Sequence, residues 1–196
     1  REVLAAGTNV QYAEGQVTSR AALTPEMKLT VKAVKKAVRF LKKQNAKKIN
    51  GYYYGIVHPD CSYDLTEDAR WIDAVKYKNP ERIYNGEIGE IEGARFVETT
   101  EAKIWAKAGA AKSTSDTTKI DVYGTLIFGA NAYATTKIEG GGLKTIIKQL
   151  GSAGTGDPLD QRATVGWKAL KVTEILTEAY MIRIETASTF SDGEAN

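Results

Sequence analysis

The sequence predicts an α+β fold, because segments with helical and with strand periodicity are interspersed while the helices are too few for regular βαβ units. Its 196 residues suit one large domain or two small ones. Hydrophobic residues make up 42% and charged residues 26% of the chain, an ordinary globular composition. No run of about 18 apolar residues occurs, so a membrane span is excluded and no membrane partner is expected.

The first long element predicted is a basic helix over residues 24–48. Thr24 can cap its first free N–H group and Pro25 suits its first position, while Asn50 and Gly51 are expected to end it after about six turns. Apolar residues spaced by four and three form one stripe: Met27, Val31, Val34, Val38 and Leu41. The nine basic residues of the segment are Lys28, Lys32, Lys35, Lys36, Arg39, Lys42, Lys43, Lys47 and Lys48.

This helix concentrates the charge of the molecule. Glu26 is the only acidic residue between residues 24 and 48, so the segment carries +8. The remainder holds 18 basic and 23 acidic residues, a charge of −5 within the net +3. The candidate contact residues are therefore the cations of this helix: Lys28, Lys32, Lys35, Lys36, Arg39, Lys42 and Lys43.

Two interpretations of the basic face compete. A row of cations can neutralise phosphates, which is the basis of nonspecific nucleic-acid binding. The simpler interpretation is a solvated face opposite a core stripe, or a face that meets the acidic surface of a neighbouring copy. We favour the simpler one, because Phe40 is the only aromatic residue among the lysines and single strands are bound by stacking on such residues.

A short buried strand and a second helix are predicted next. Residues 52–57 are rich in strand formers and are bounded by Pro59, and residues 64–77 have helical spacing. Thr66 is placed as the cap of this helix, and Asn79 with Pro80 should end it. Its predicted inner side consists of Trp71, Ile72 and Val75.

The middle of the chain alternates strands and loops. Residues 95–99 are predicted to form a strand that brings Phe96 into the core. Residues 109–119 are small and polar and predict a loop. A further strand is predicted over residues 122–128, broken at Gly124.

The last third is predicted to be rich in strands after a second loop over residues 151–158. Apolar and polar residues alternate there with period two, which is typical of half-buried strands. The residues expected on the inner faces are Val165, Trp167 and Ala169 in one strand and Tyr180, Ile182, Ile184 and Thr186 in another. Residues 191–196 are expected to be a frayed tail.

No motif in the sequence supports catalysis, and no cofactor or metal is expected. His58 lies near Cys61, but Pro59 rigidifies the segment and no third orienting group is marked, so a buried thiol and a hydrogen-bonded turn histidine are favoured. One Cys and one His cannot form a structural zinc set. The three nearby carboxylates lack calcium-loop spacing and indicate a solvated loop: Glu87, Glu90 and Glu92.

Two glycine-containing segments also fail as nucleotide sites. In residues 142–145, Leu143 separates the glycine from the lysine that a phosphate loop needs directly after it. The glycines of the second segment have the dinucleotide spacing in reverse order and lie among turn residues: Gly151, Gly154 and Gly156. Composition and spacing alone leave the function undetermined.

Five segments in order resemble the major capsid proteins of tailed bacteriophages, in particular the family typified by the N-four podovirus coat protein. They read LTPEMKLTVKAVKKAVRFLKK, YYYGIVHPDCSYDL, GEIGEIEGARFVETTEA, VYGTLIFGANAYATT, and GTGDPLDQRATVGWKAL with EAYMIRIETAS. Together they run from about residue 23 to residue 188, which is nearly the whole chain. Each segment alone is weakly specific, and their common order carries the resemblance.

The resemblance implies the tailed-phage capsid fold, with a peripheral (P) domain containing a long spine helix and an axial (A) domain containing a mixed central sheet. Residues 1–50 would hold the N-terminal segment and the spine helix, and residues 51–136 the A domain. Strands in residues 137–190 would return to complete both domains. An N-terminal arm and hairpin loop, usual in this family, are expected to be missing before residue 1.

The resemblance also implies the function and the partners. The chain would be a structural protein without enzymatic activity that self-assembles into hexamers and pentamers of an icosahedral shell enclosing phage DNA. Packaged double-stranded DNA, contacted nonspecifically, and scaffolding or decoration proteins are the further partners expected. The location would be the virion capsid, and the host cytoplasm during assembly. The alternative is a DNA-binding module that uses the Lys-rich helix at residues 24–48.

Overall fold

The computed structural model describes residues 2–78, 88–136, 141–152, 156–157, 159 and 161–191. The chain forms two compact units. Unit 1 comprises Arg1–Tyr133 and Ile175–Asn196, and unit 2 comprises Ala134–Glu174. Of the tail predicted over residues 191–196, residues 192–196 lie outside the described residues. Within the described ranges, no helix has both the length and the apolar character needed to cross a membrane.

The elements confirm a mixture of helices and strands. The first part of the chain contains, in order, α1 (Glu2–Ala5), β1 (Val10–Tyr12), α2 (Val31–Lys43), β2 (Tyr53–Val57), α3 (Pro59–Thr66) and α4 (Ala69–Lys78). The strands that follow are β3 (Glu90–Ile91), β4 (Ala94–Glu98), β5 (Ile104–Trp105), β6 (Val122–Phe128), β7 (Tyr133–Thr135), β8 (Lys144–Lys148), β9 (Thr164–Lys168), β10 (Thr173–Ile175) and β11 (Met181–Thr186). Single 3₁₀ turns occur at Arg20–Ala22 and Glu178–Tyr180.

A mixed sheet organises unit 1. Its strand order is β1-β11-β6-β2-β4-β3, and β5 adds to β6 at one end. The pairs β1/β11 and β2/β4 are parallel, whereas β11/β6, β2/β6, β3/β4 and β5/β6 are antiparallel. Helix α2 lies against β11 and β6. The core between them contains fully buried Val34, Leu41, Ile127 and Ile184.

The predicted start of the basic helix was wrong by seven residues. Residues 24–27 form only a turn, in which the Met27 N–H donates to the Thr24 carbonyl at 3.0 Å. The helix starts after Thr30, whose side chain accepts from Ala33 N at 3.2 Å. Val31 N donates to a carboxylate oxygen of Asp68 at 2.9 Å, so a residue 37 positions away completes the cap.

The predicted end of the helix was also wrong. The helix ends at Lys43, and Asn45 adopts a φ of 54°, a left-handed conformation that cannot continue it. The element therefore has 13 residues. The apolar stripe itself is confirmed from Val31 to Leu41, since Val34 and Val38 are buried between them, whereas Met27 packs elsewhere, beside Leu23 and Val122.

One predicted helix is two. The segment of residues 64–77 is interrupted at Asp68. An aspartate is not by itself a helix breaker, but this one accepts backbone N–H groups with both its side chain and its carbonyl. Helix α3 begins earlier than expected, with Pro59 at its first position. Thr66 is not a cap: it lies at the end of α3 and donates to the Tyr63 carbonyl at 2.8 Å.

The inner side predicted for the second helix is only partly right. Trp71 is buried, but Ile72 is 42% exposed. The side chain of Val75 and the predicted stop at Asn79 and Pro80 lie outside the described residues.

The predicted strands of the middle region are largely confirmed. β2 and β4 match their predictions, and Phe96 is buried. Residues 109–119 contain no named helix or strand, only a single bridge between Ala111 and Lys119. Gly124 does not break β6, which is buried along its whole length. A Cβ atom at Gly124 would lie 3.0 Å from the ring of Trp105, so glycine serves close packing there.

Both half-buried strands predicted near the end were wrong in their burial. All six residues of β11 are buried: the strand lies between β1 and β6, and its charged residues Arg183 and Glu185 are paired with each other. All five residues of β9 are exposed. β9 pairs with β8 in an antiparallel two-stranded sheet of unit 2. β7 and β10 form another two-stranded sheet.

Candidate functional site

The cations predicted as the contact site lie mainly on the outer face of α2. The buried residues of the helix occupy one side. The basic residues recur every three or four positions on the opposite side and form an exposed basic stripe. Its members are Lys32, Lys35, Lys36, Arg39, Lys42 and Lys43, and all are exposed. Lys42 and Lys43 occupy the last turn, where positive charge is favourable at the helix carboxyl end.

Lys28 is not part of this stripe. It precedes the helix, and its Nζ lies 3.9 Å from a carboxylate oxygen of Asp64. That carboxylate is buried and also accepts from Ser188 Oγ at 2.8 Å and from Thr189 N at 3.0 Å. The Lys28 charge therefore partly compensates a buried carboxylate that links α3 to the residues just after β11. This position does not support the predicted contact role of Lys28, which stays a prediction.

Glu14 contacts two cations in the amino-terminal half of the stripe, Lys32 and Lys36. Lys32 Nζ lies 2.5 Å from Glu14 Oε2, and Thr30 Oγ1 donates to Glu14 Oε1 at 3.0 Å. Lys36 donates to the backbone carbonyl of the same residue. The Lys32 hydrogen bond is the main cause that lowers the pKa of Glu14 below its ordinary value. These contacts hold the N-terminal segment against α2.

Lys35 also has a partner within the chain. Its Nζ lies 3.3 Å from Glu92 Oε1. Glu92 has a φ of 53° and forms the tight turn between β3 and β4. Both side chains are well exposed, so the pair contributes little to stability but reduces the local charge.

Three cations remain at the carboxyl-terminal end of the stripe. In the described part of the chain Arg39, Lys42 and Lys43 make no ion pair, and we call them the open basic end. Arg39, Phe40, Lys36 and Tyr12 are among the residues that line an open groove of about 700 Å³. Of the seven predicted contact residues, these three are the ones without an ion pair or a main-chain contact among the described residues, and the contact role of all seven stays a prediction.

A second cluster of charged residues was not predicted from the sequence: Arg20, Arg183 and Glu185. Glu185 on β11 is fully buried, and Arg20 donates to both its oxygens, at 2.7 and 2.8 Å. Arg183 Nε donates to Glu185 Oε1 at 2.8 Å, and its Nη1 donates to the Gly7 carbonyl at 2.9 Å. The Arg20 guanidinium lies 3.9 Å from the ring centroid of Trp105. The hydrogen bond to Glu185 raises the pKa of Arg20.

This cluster joins the N-terminal segment to the sheet. Arg20 and Glu185 are 165 residues apart, so no local pattern could have shown their contact. The one sequence signal was the charged pair on β11, Arg183 and Glu185, which alternate with apolar residues in a strand that is buried along its whole length. The cluster is internal, and its groups are paired with one another rather than aimed at solvent.

The residues considered for catalysis are structural. Cys61 is buried with its Sγ 3.8 Å from Thr186 Oγ1, and burial raises the pKa of its thiol far above the ordinary value. His58 caps α3: its Nδ1 accepts from Asp60 N at 3.3 Å. The nucleophile pair weighed above is therefore not assembled, as the simpler interpretation expected.

Among the described residues the metal motif and the first nucleotide motif find no site, and Gly154 of the second glycine segment lies outside them. Among the described residues no group of three or more His, Cys, Asp or Glu could hold a metal ion. Of the three clustered carboxylates Glu87 lies outside the described residues. Residues 144–148 form strand β8 rather than the start of a helix, so the phosphate-loop geometry is absent there.

The comparisons with known proteins decide the family. The family model described as phage capsid protein matches residues 1–150 of the chain. The chain belongs to the phage capsid protein family. No curated protein sequence matches it.

Solved capsid structures share the fold of this phage capsid protein. The capsid of Ralstonia phage GP4 aligns with a TM-score of 0.66 at 15% identity, covering 95% of this chain and 54% of that one. The cyanophage Pam1 capsid asymmetric unit aligns with a TM-score of 0.65 at 10% identity, covering 92% and 54%. The acid-stable capsid of Helicobacter pylori bacteriophage KHP30 gives 0.60 at 12% identity, covering 94% and 64%.

These likenesses confirm the predicted fold class. The α+β architecture with a mixed sheet is the fold of tailed-phage capsid proteins. The chain spans about half the length of the first capsid proteins that it matches. The family consists of capsid proteins rather than enzymes, in agreement with the prediction that the chain is not an enzyme.

Proposed function

We propose that this chain acts as a major capsid subunit of a tailed bacteriophage, of the N-four-podovirus type. Copies of it assemble into the hexamers and pentamers of an icosahedral shell that encloses phage DNA. The family match over residues 1–150 carries this proposal, and the capsid fold supports it. The function is then structural. Identical copies bury complementary surfaces in closed symmetric rings, and it is these many subunit contacts, not one catalytic site, that carry the function.

Within this proposal the parts of the chain have distinct roles. Helix α2 corresponds to the spine helix of the P domain, together with the rest of residues 1–50. Residues 51–136 form the A domain, which begins with β2 and contains most of the mixed sheet. Residues 137–190 return to complete both domains. The protein assembles in the host cytoplasm before it resides in the virion capsid.

The open basic end is proposed to meet an acidic surface of a neighbouring subunit. Arg39, Lys42 and Lys43 are exposed and have no ion-pair partner in the described chain, while the residues outside 24–48 carry −5. Packaged double-stranded DNA is the competing partner, since the same cations can neutralise phosphates. Scaffolding or decoration proteins are further candidate partners. A separate DNA-binding module as the whole function gains no support from the family or the fold.

A triple substitution separates the two partners. R39Q/K42Q/K43Q removes three charges and retains a good helix former at each position, so the helix itself should persist. A neighbour contact predicts that rings and shells fail to form in electron micrographs. A genome contact predicts shells that form but hold less DNA.

The matched control is K32Q on the same helix. Lys32 already pairs with Glu14, so its loss should lower stability slightly and leave assembly and packaging unchanged. If the triple variant assembles and packages like the wild type, both contacts are discarded. If the unmodified protein forms neither rings nor shells under any condition, the capsid function itself is contradicted.

A further inference from the structure

The two-stranded sheet of β8 and β9 in unit 2 has one apolar and one basic face. Cross-strand partners share a face, and the register pairs Thr145 with Trp167 and Ile147 with Val165. The exposed fractions are 65% for Ile147 and 75% for both Val165 and Trp167. We call this set of four residues the apolar hairpin face.

The opposite face is basic. It carries Lys144, Lys148 and Lys168, with Gly166 and Ile146 between them. Neither strand contains an acidic residue. The hairpin is thus amphipathic, yet every residue of both strands is exposed.

Two observations indicate that the apolar hairpin face is built to be covered. First, its period-two pattern is the pattern of a half-buried strand, and it was predicted as such from the sequence at Val165 and Trp167. Second, an isolated two-stranded hairpin is at best marginally stable in water, and stability needs further strands or a packed face. A contiguous set of large exposed apolar side chains on a protein surface marks an interaction site.

We infer that the apolar hairpin face of one subunit packs on the surface of a second copy of this chain. The inference rests on the proposed function, which supplies many identical neighbours. Charge complementarity favours this occupant: outside residues 24–48 and 134–174 the chain holds 19 acidic and 12 basic residues, a charge of −7. The exposed carboxylates of that part of the chain, such as those of Glu67, Glu98 and Asp116, can face the three lysines that flank the apolar contact.

The test compares two adjacent substitutions on β9. Val165→Glu places a carboxylate in the apolar contact, whereas Thr164→Glu places the same group on the basic face, opposite Lys148. Both positions are exposed in the single chain, so both variants should fold like the wild type, which circular dichroism and urea unfolding would verify. Sedimentation equilibrium then measures self-association, and hydrogen exchange of β8 and β9 amides reports their protection in the assembled state.

The inference predicts that V165E lowers the association constant roughly tenfold or more, and that T164E changes it by less than about threefold. The β8 and β9 amides should exchange fast in the dissociated chain and slowly in the assembly. Assembly of V165E at wild-type strength, with the hairpin equally fast in both states, overturns the inference and leaves the capsid function intact. A lower unfolding free energy of V165E at unchanged association overturns it as well, since the hairpin then packs within its own chain. Failure of the wild type to associate at all overturns both proposals.

Discussion

Replacing Arg20 by Met tests the buried charge cluster that joins the N-terminal segment to the sheet. Removing one partner of a buried ion pair costs about 3–5 kcal/mol, because the other charge is left without compensation. Two features reduce this figure here. Arg183 remains 2.8 Å from the same Glu185 carboxylate, and the Arg20 side chain is itself 31% exposed. Loss of the stacking on Trp105 adds about 0.5–1 kcal/mol.

We therefore expect R20M to lower the free energy of unfolding by about 2–3 kcal/mol. Equilibrium urea unfolding measures this directly, and the melting temperature should fall by about 5–10 °C for a chain of this size. The control is K103M, which removes a lysine whose carboxylate partner lies at the surface rather than in the core. Lys103 Nζ is 2.8 Å from Glu2 Oε1, but Glu2 is 68% exposed, so the cost should stay below about 1 kcal/mol. An R20M cost no larger than that of K103M would refute the assigned role of the cluster.

Three further outcomes are expected. Asp68→Ala removes a cap shared by α2 and α4 and should lower the unfolding free energy by about 1–2 kcal/mol in urea titrations, whereas an unchanged midpoint would contradict the shared cap. The pKa of Glu14 is lowered in the folded chain, so the ionised carboxylate stabilises the fold above its ordinary pKa, and this stabilisation is lost as the pH falls through the lowered pKa. E14Q should therefore flatten the acid side of a plot of unfolding free energy against pH. An acid side identical to that of the wild type would argue against the Lys32 contact. The buried Cys61 thiol should react with a thiol reagent only when the protein unfolds, and rapid reaction of the native chain would disprove its burial.

Local patterns in the sequence predicted those features that depend on local periodicity. The stripe on α2 was found because burial on one helix face leaves a period near 3.6, and β2 was found because strand formers stand between breakers. Periodicity also indicated the α+β class. The resemblance of five ordered segments to phage capsid proteins then supplied the particular capsid fold, which neither periodicity nor composition could specify.

The errors arose where a distant residue decides the local structure. Helix α2 starts at Val31 and not at residue 24 because Asp68 accepts its first N–H group, and the same residue separates α3 from α4. A carboxylate can lie fully buried in β11 because Arg20, 165 residues away, donates to both oxygens of Glu185. No window of the sequence contains both members of either contact.

The candidate site likewise combines one feature that the local sequence shows with another that depends on distant residues. Its cations were identified by charge counting, but their availability depends on tertiary partners. Glu14 and Glu92 approach Lys32 and Lys35 only through folding, and Lys28 lies outside the helix altogether. What remains is the open basic end, a smaller and more specific hypothesis than the whole basic helix.

The central claim is that this chain is the repeated subunit of a phage shell. Quantitative mass spectrometry of gradient-purified particles of the phage that encodes it tests this claim most directly. Peptides from this chain should be the most abundant in the particle, in the high copy number that a closed icosahedral shell requires. Particles that contain only a few copies, or none, would contradict it.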